Sequence, residues 1–132
     1  MFYFATPHAK TGLKNYELDS KKLDRNNYLT SVIEKAGFNI FLPMRDADQK
    51  LSGKDLLDLE LNVIKNCDGL ICALSDTRGV YLEAGYAKAL GKKVIGLKVE
   101  ETRRMSEWGC AFFDFIASNE EELVKYLKVM PG

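Results

Sequence analysis

Gly69-Leu70-Ile71-Cys72-Ala73-Leu74 is a six-residue run without a charge, and no other stretch restricts the possible folds so much. A run this short and this apolar reads as a strand buried on both faces, which in turn needs helices above and below it. It leads into the polar turn Ser75-Asp76-Thr77-Arg78-Gly79. From Val80 to Leu90 the chain then places Ala84, Ala87 and Leu90 at helical spacing, and Gly91 follows in the manner of a C′ glycine. The first turns of that helix carry a carboxylate, Glu83. In an open parallel sheet, ligands bind beyond the carboxyl ends of the strands, which is where Glu83 falls. An acid early in a helix is also favoured by the helix dipole and by capping, so position alone does not make Glu83 functional.

The rest of the chain repeats the strand-then-helix pattern. Phe2 to Ala5 suits a first central strand and ends at Thr6-Pro7-His8, where proline forbids a regular continuation. Residues 9 to 23 are polar and form either a long binding loop or the approach to a helix. Tyr28, Leu29, Val32, Ile33 and Ala36 make a helical stripe closed by Gly37, and Phe38 to Leu42 reads as a second strand stopped by Pro43. Met44 to Leu51 reads as a charged loop. Ser52-Gly53-Lys54-Asp55 has the form of a capping box, opening a helix to about Asn66 with Leu56, Val63, Ile64 and Cys67 on its apolar side. Glu60 lies four residues from both Leu56 and Ile64 and so projects from that same side. A carboxylate there is costly unless it is paired, functional or at the edge of the stripe. Val94 to Leu97 and the Phe-rich Cys110 to Ile116 read as the fourth and fifth strands. Ser118-Asn119-Glu120-Glu121 reads as the cap of a last helix.

This alternation predicts one domain over residues 1–132. Its fold would be a three-layer α/β domain of flavodoxin or Rossmann-like type, with a five-stranded parallel sheet in the order 2-1-3-4-5. The switch point would lie between strands 1 and 3, setting Tyr3 and Thr6 beside Asp76 and Glu83.

Nineteen basic and nineteen acidic side chains leave no net charge, which argues against a nucleic acid polymer as partner. No apolar run is long enough to span a membrane. Cys67, Cys72 and Cys110 lack CxxC spacing and adjoin apolar residues, so buried free thiols in a reducing, cytoplasmic setting are expected. His8 is the only histidine, so a His-rich metal site is excluded. The first strand is followed by neither GxGxxG nor a P-loop, and by no aspartate in the pattern of a phosphoacceptor. What remains is a group of carboxylates (Glu60, Asp76, Glu83) with Tyr3 nearby. A carboxylate nucleophile with a separate acid is the usual equipment for cleaving a glycosidic bond.

Three segments resemble the nucleoside 2-deoxyribosyltransferase family, whose relatives include enzymes that hydrolyse the N-glycosidic bond of nucleotides. Phe2-Tyr3-Phe4-Ala5-Thr6-Pro7 resembles its opening YFA-x-P. Glu60 to Asp68 is similar to its acidic helix. Gly79-Val80-Tyr81-Leu82-Glu83-Ala84-Gly85-Tyr86-Ala87-Lys88-Ala89-Leu90-Gly91-Lys92 is similar to its G-x-x-x-E-x-G-x-A-x-A-x-G-K signature. The resemblance implies that Glu83 is the nucleophile at C1′ of the sugar and holds a glycosyl intermediate. It implies that Tyr3 orients Glu83, that Glu60 engages the base or its proton, and that Asp76 binds sugar hydroxyls, with Thr6 and Gly79 lining the pocket. Where the family carries Asp-x-Gly-Thr, this chain has Asp76-Thr77-Arg78-Gly79, which introduces a cation. Arg78, His8 and Lys10 could together hold a 5′-phosphate.

Ser106-Glu107-Trp108-Gly109 resembles, with one extra residue, the element by which a neighbouring subunit completes the family's pocket, so a homodimer or higher homo-oligomer is implied. The substrates implied are nucleosides or nucleotides and free bases, with no cofactor and no metal. The resemblance carries three readings: exchange of bases on 2-deoxyribose, hydrolysis of nucleoside 5′-monophosphates with the same nucleophile, and a non-catalytic nucleotide-binding module.

Overall fold

In the computed structural model, which describes residues 1–130, β3 (Gly69–Leu74) is buried along its whole length. It pairs in parallel with β1 (Phe2–Ala5) on one side and with β4 (Lys93–Lys98) on the other. β2 (Ile40–Phe41) flanks β1 and β5 (Phe115–Ala117) flanks β4, both in parallel, so the sheet order is 2-1-3-4-5. The helices are α1 (Ser20–Lys35), the short α2 (Pro43–Asp46), α3 (Gly53–Asn66), α4 (Arg78–Ala89), the short α5 (Glu107–Phe112) and α6 (Glu120–Val129).

Side chains alternate across a strand, and that alternation divides the core in two. Phe2, Phe4, Ile71, Ala73, Ile95 and Leu97 face Leu29 and Ile33 of α1 and Leu123 and Leu127 of α6. Tyr3, Ala5, Leu70, Cys72, Leu74 and Val94 face Ile64 of α3 and Val80, Ala84 and Ala87 of α4. The result is a three-layer α/β sandwich. Its parity puts Tyr3 on the α3 and α4 side, where Glu60 and Glu83 lie.

Several elements differ from the sequence expectation for identifiable reasons. The fifth strand covers only Phe115–Ala117. Ser106 caps a helix instead, its Oγ accepting from the Gly109 N–H at 3.1 Å, and this draws Cys110 to Phe112 into α5. Cys110 is exposed, whereas Cys67 and Cys72 are buried as expected. The charged loop after β2 opens with the helical turn α2, with Pro43 at its first position and the Asp46 carboxylate accepting from the Leu42 N–H at 2.8 Å. The cap of α6 is Asn119, not Ser118, because its side chain accepts from the Glu122 N–H at 2.9 Å. Tyr28 lies on the solvent side of α1, and buried Asn26 and Thr30 take its place in the inward stripe.

Two features hold as read. Ser52 caps α3, accepting from the Asp55 N–H at 3.2 Å. Gly91 follows the C-cap of α4 with φ +76°, a conformation open to glycine at little cost.

Candidate active site

α4 begins at Arg78, two residues earlier than expected, so Glu83 is its sixth residue and lies outside the first turn. Neither capping nor the helix dipole then explains an acid at this position. Its environment does the explaining. The Tyr3 side chain has no solvent exposure, and its ring stacks on Phe41 at 5.5 Å between centroids. Its hydroxyl, carried into the sheet interior, would cost about 1–3 kcal/mol if left without a partner. It donates to the Glu83 carboxylate, Oε2 being the acceptor.

Burial is the largest influence on Glu83 and raises its pKa from the ordinary 4.5 to about 7. The Tyr3 hydrogen bond opposes the rise and the charge of Glu60 adds to it. Burial also raises Glu60, against the same hydroxyl, and lifts Tyr3 well above the ordinary range for a phenol. Two carboxyls that each resist ionisation therefore lie close enough to feel one another.

Both open into one cavity of about 220 Å³, lined by Thr6, His8, Pro43, Leu57, Glu60, Leu61, Gly79, Leu82 and Glu83. Its walls are mostly apolar with a few ionisable groups among them, which suits a flat ring with a polar edge. Burial lowers the pKa of His8, so the imidazole is neutral at pH 7. The Thr6-Pro7-His8 turn is held from behind by Asn26, a buried α1 side chain whose amide donates to the Pro7 carbonyl at 2.8 Å. Sequence periodicity alone did not single out Asn26. A polar residue within an otherwise apolar stripe was the available signal.

Of the residues expected to meet here, Tyr3, Thr6, His8, Glu60, Gly79 and Glu83 are brought together. Asp76 is not among them. It lines a second, larger cavity of about 670 Å³ with Lys10, Lys21, Lys22, Arg25, Glu100 and Glu101. The chain turns at Ser75, whose carbonyl accepts from the Tyr81 hydroxyl at 2.5 Å, and Asp76 leaves on the α1 side of the rim. Lys10 is paired with Glu17 at 2.7 Å, and Arg78 is exposed and lines neither cavity. The expected phosphate cluster of Arg78, His8 and Lys10 is thus spread over the rim rather than gathered.

The start of α4 has another property. Its N-cap, Thr77, makes no capping hydrogen bond, its buried hydroxyl has no partner, and no acid occupies the first turn. The first N–H groups of α4 are left for solvent or a ligand, and Gly79 brings that end to the wall of the Glu83 cavity.

The sequence model of the nucleoside 2-deoxyribosyltransferase family matches residues 3–124, nearly the whole chain. The chain belongs to that family, which is one of enzymes. Solved structures agree on the fold. The 2-deoxyribosyltransferase of Bacillus psychrosaccharolyticus superposes with a TM-score of 0.75 at 16% identity, covering 95% of this chain and 90% of that one. A 2-deoxyribosyltransferase from Leishmania mexicana gives 0.67 at 17% identity, over 98% of both chains. A CMP N-glycosidase from Clostridium botulinum gives 0.63 at 20% identity, over 99% of this chain and 100% of that one. No curated protein sequence matches significantly. At these identities the structural neighbours speak for the fold alone.

The raised pKa of Glu83 has a stability consequence. A carboxyl that holds its proton more tightly folded than unfolded favours the fold below about pH 4.5 and loses that contribution as pH rises through about 7. Glu83→Gln removes the burden of a buried charge while keeping an acceptor for Tyr3. In urea unfolding at pH 8 the variant should be more stable than the parent by up to about 3 kcal/mol, and the gain should vanish by pH 4.5.

Proposed function

We propose that the protein cleaves the N-glycosidic bond of nucleosides or nucleotides and passes the 2-deoxyribosyl group to a second base, with Glu83 as nucleophile. The observation that carries this reading is a half-buried carboxylate, oriented by a buried tyrosine, facing a mostly apolar cavity that holds a second carboxyl. Family membership supports the reaction class.

In this scheme the ionised Glu83 attacks C1′ as the C1′–N bond breaks, forming a glycosyl ester. The base departs with the bond's electron pair and takes a proton from Glu60, whose carboxyl burial makes a better holder of a proton than a free carboxylate. An acceptor base then attacks C1′, returns a proton to Glu60 and frees Glu83. Tyr3 holds the Glu83 carboxylate at one rotamer throughout. Thr6, His8 and Gly79 contact the sugar or its 5′ side, and the apolar side chains of Pro43, Leu57 and Leu61 flank the base. The reaction needs no cofactor, and the protein's reduced thiols fit a cytoplasmic setting.

A second reading has its own support. The uncapped start of α4 at the cavity wall, with Arg78 beside it, suits a 5′-phosphate. With water as acceptor the same residues would make a nucleoside 5′-monophosphate N-glycosidase. Asp76, on the far side of the rim, has no part in either reading unless substrate bridges the two cavities.

Leu82, next to Glu83 and in the wall of its cavity, is 75% exposed, and Trp108, in the wall of a separate apolar cavity with Tyr81 and Phe112, is 77% exposed. We assign these side chains to contact with another copy of the chain, which would close the pocket as a homodimer or higher homo-oligomer.

Three measurements test this reading. Chromatography of the protein with deoxynucleosides and their 5′-monophosphates, with and without a free acceptor base, should yield new nucleoside only when acceptor is present. Glu83→Ala should lower turnover at least about a thousandfold. Base released from monophosphates regardless of acceptor would favour the hydrolase, and no turnover of any substrate would leave only a binding module. The second is the pH profile of kcat/KM. It should fall about tenfold per unit below about pH 7, an acid limb that belongs to the Glu60 and Glu83 pair. Tyr3→Phe removes the bond that lowers the Glu83 pKa, so the limb should move to higher pH; an unmoved limb contradicts the role given to Tyr3. The third is sedimentation velocity, in which Leu82→Glu should shift an oligomer toward monomer.

A further inference from the structure

The loop between β4 and α5 sorts its charges by side. Lys98-Val99-Glu100-Glu101-Thr102-Arg103-Arg104 carries two carboxylates and three cations in seven residues. Thr102 is the pivot. Its hydroxyl donates to the Leu74 carbonyl at 2.6 Å and accepts from the Val99 N–H at 2.8 Å, tying the loop to the end of β3. On one side of this anchor Glu101 grips Arg25 of α1 through two bonds of 2.5 and 2.8 Å, and Glu100 and Glu101 line the cavity that contains Asp76.

On the other side Lys98, Arg103 and Arg104 line a separate cavity of about 490 Å³ whose remaining walls are Val99, Thr102, Met105, Cys110 and Ile116. No carboxylate lines it. Among the described residues none of the three cations lies within ion-pair distance of an acid. In a chain with no net charge, this is a local concentration of positive charge on an anchored loop, with the loop's own acids turned away.

We propose that this cavity binds an organic polyphosphate, a nucleotide by class, at a site separate from the Glu83 cavity. Two guanidinium groups can engage phosphate oxygens in pairs and an ammonium supplies a third charge, the combination suited to a chain of phosphates. Val99, Met105 and Ile116 offer an apolar surface for a ring, and the thioether adapts to its shape. The volume lies in the range of small-molecule sites. The cavity holds no carboxylate that could serve as the nucleophile of glycosyl transfer, so its role is binding. It does not depend on the reaction assigned to Glu83.

Cys110 provides a reporter in the wall of this cavity, because it is exposed and the other two cysteines are buried. The experiment measures the rate at which iodoacetamide alkylates Cys110 in the full-length protein. The modified residue is identified by mass spectrometry, and either inorganic pyrophosphate or a nucleoside triphosphate is added. Alkylation should slow with occupancy, about tenfold at ten times the dissociation constant, and the protection should weaken as salt is raised. The nucleotide should protect at lower concentration than pyrophosphate if the apolar wall contributes. Equal protection by both assigns the same site to the phosphate chain alone. The double substitution Arg103→Ala and Arg104→Ala should weaken binding about a hundredfold. Protection should persist in Leu57→Trp, whose added bulk obstructs the Glu83 cavity, and this separates the site from a nucleotide bound there. An alkylation rate unchanged by either probe at millimolar concentration, or protection of equal strength in the double variant, overturns the proposal.

Discussion

The hydrogen bond that Tyr3 donates to Glu83 links the interior of this protein to its candidate site. The strand needs a large side chain at position 3 to fill the space under α3 and α4, and tyrosine fills it at the expense of a polar group without water. The helix carries a carboxylate that burial makes reluctant to ionise. Each would be a liability alone. Together the hydroxyl has its acceptor and the carboxylate a donor that holds one oxygen in place. The apolar cavity lies beside the pair, walled by residues of α3 and α4, while Phe41 stacks on the Tyr3 ring.

Much of this was legible in the residues. The charge-free β3, the glycine closing α4 and the alternating pattern implied the sheet and its order, because buried strands and C′ glycines leave strong local signals. Glu60 stood out as a carboxylate among apolar neighbours, and it does face the cavity. What was not legible depended on competition between local signals of similar strength. Cys110 to Phe112 has the composition of a strand, yet the Ser106 cap is enough to make it helical. Asp76 lies only seven residues before Glu83, but a turn whose direction is set by the Tyr81 to Ser75 bond sends it to the other side of the rim. No spacing rule reports which way a turn leaves a sheet.

The carboxyl rim of the sheet is therefore divided by charge. The Glu83 cavity lies on the α3 and α4 side, the mixed-charge cavity containing Asp76 lies toward α1, and the cationic cavity lies toward β5. Two short contacts keep the latter two apart: Thr102 on the Leu74 carbonyl and Glu101 on Arg25. Loops of this kind position function at low cost in core packing, because the scaffold beneath them is already complete.

The parity of β1 has an evolutionary consequence. A one-residue insertion or deletion in this strand would exchange its two faces, sending Tyr3 toward α1 and α6 and Phe2 or Phe4 toward Glu83. The core and the Tyr3–Glu83 pair would fail in the same event, with no viable intermediate in which one is kept and the other lost. Length variation among descendants of this chain is thereby confined to the loops, and β1 is inherited as an indivisible unit.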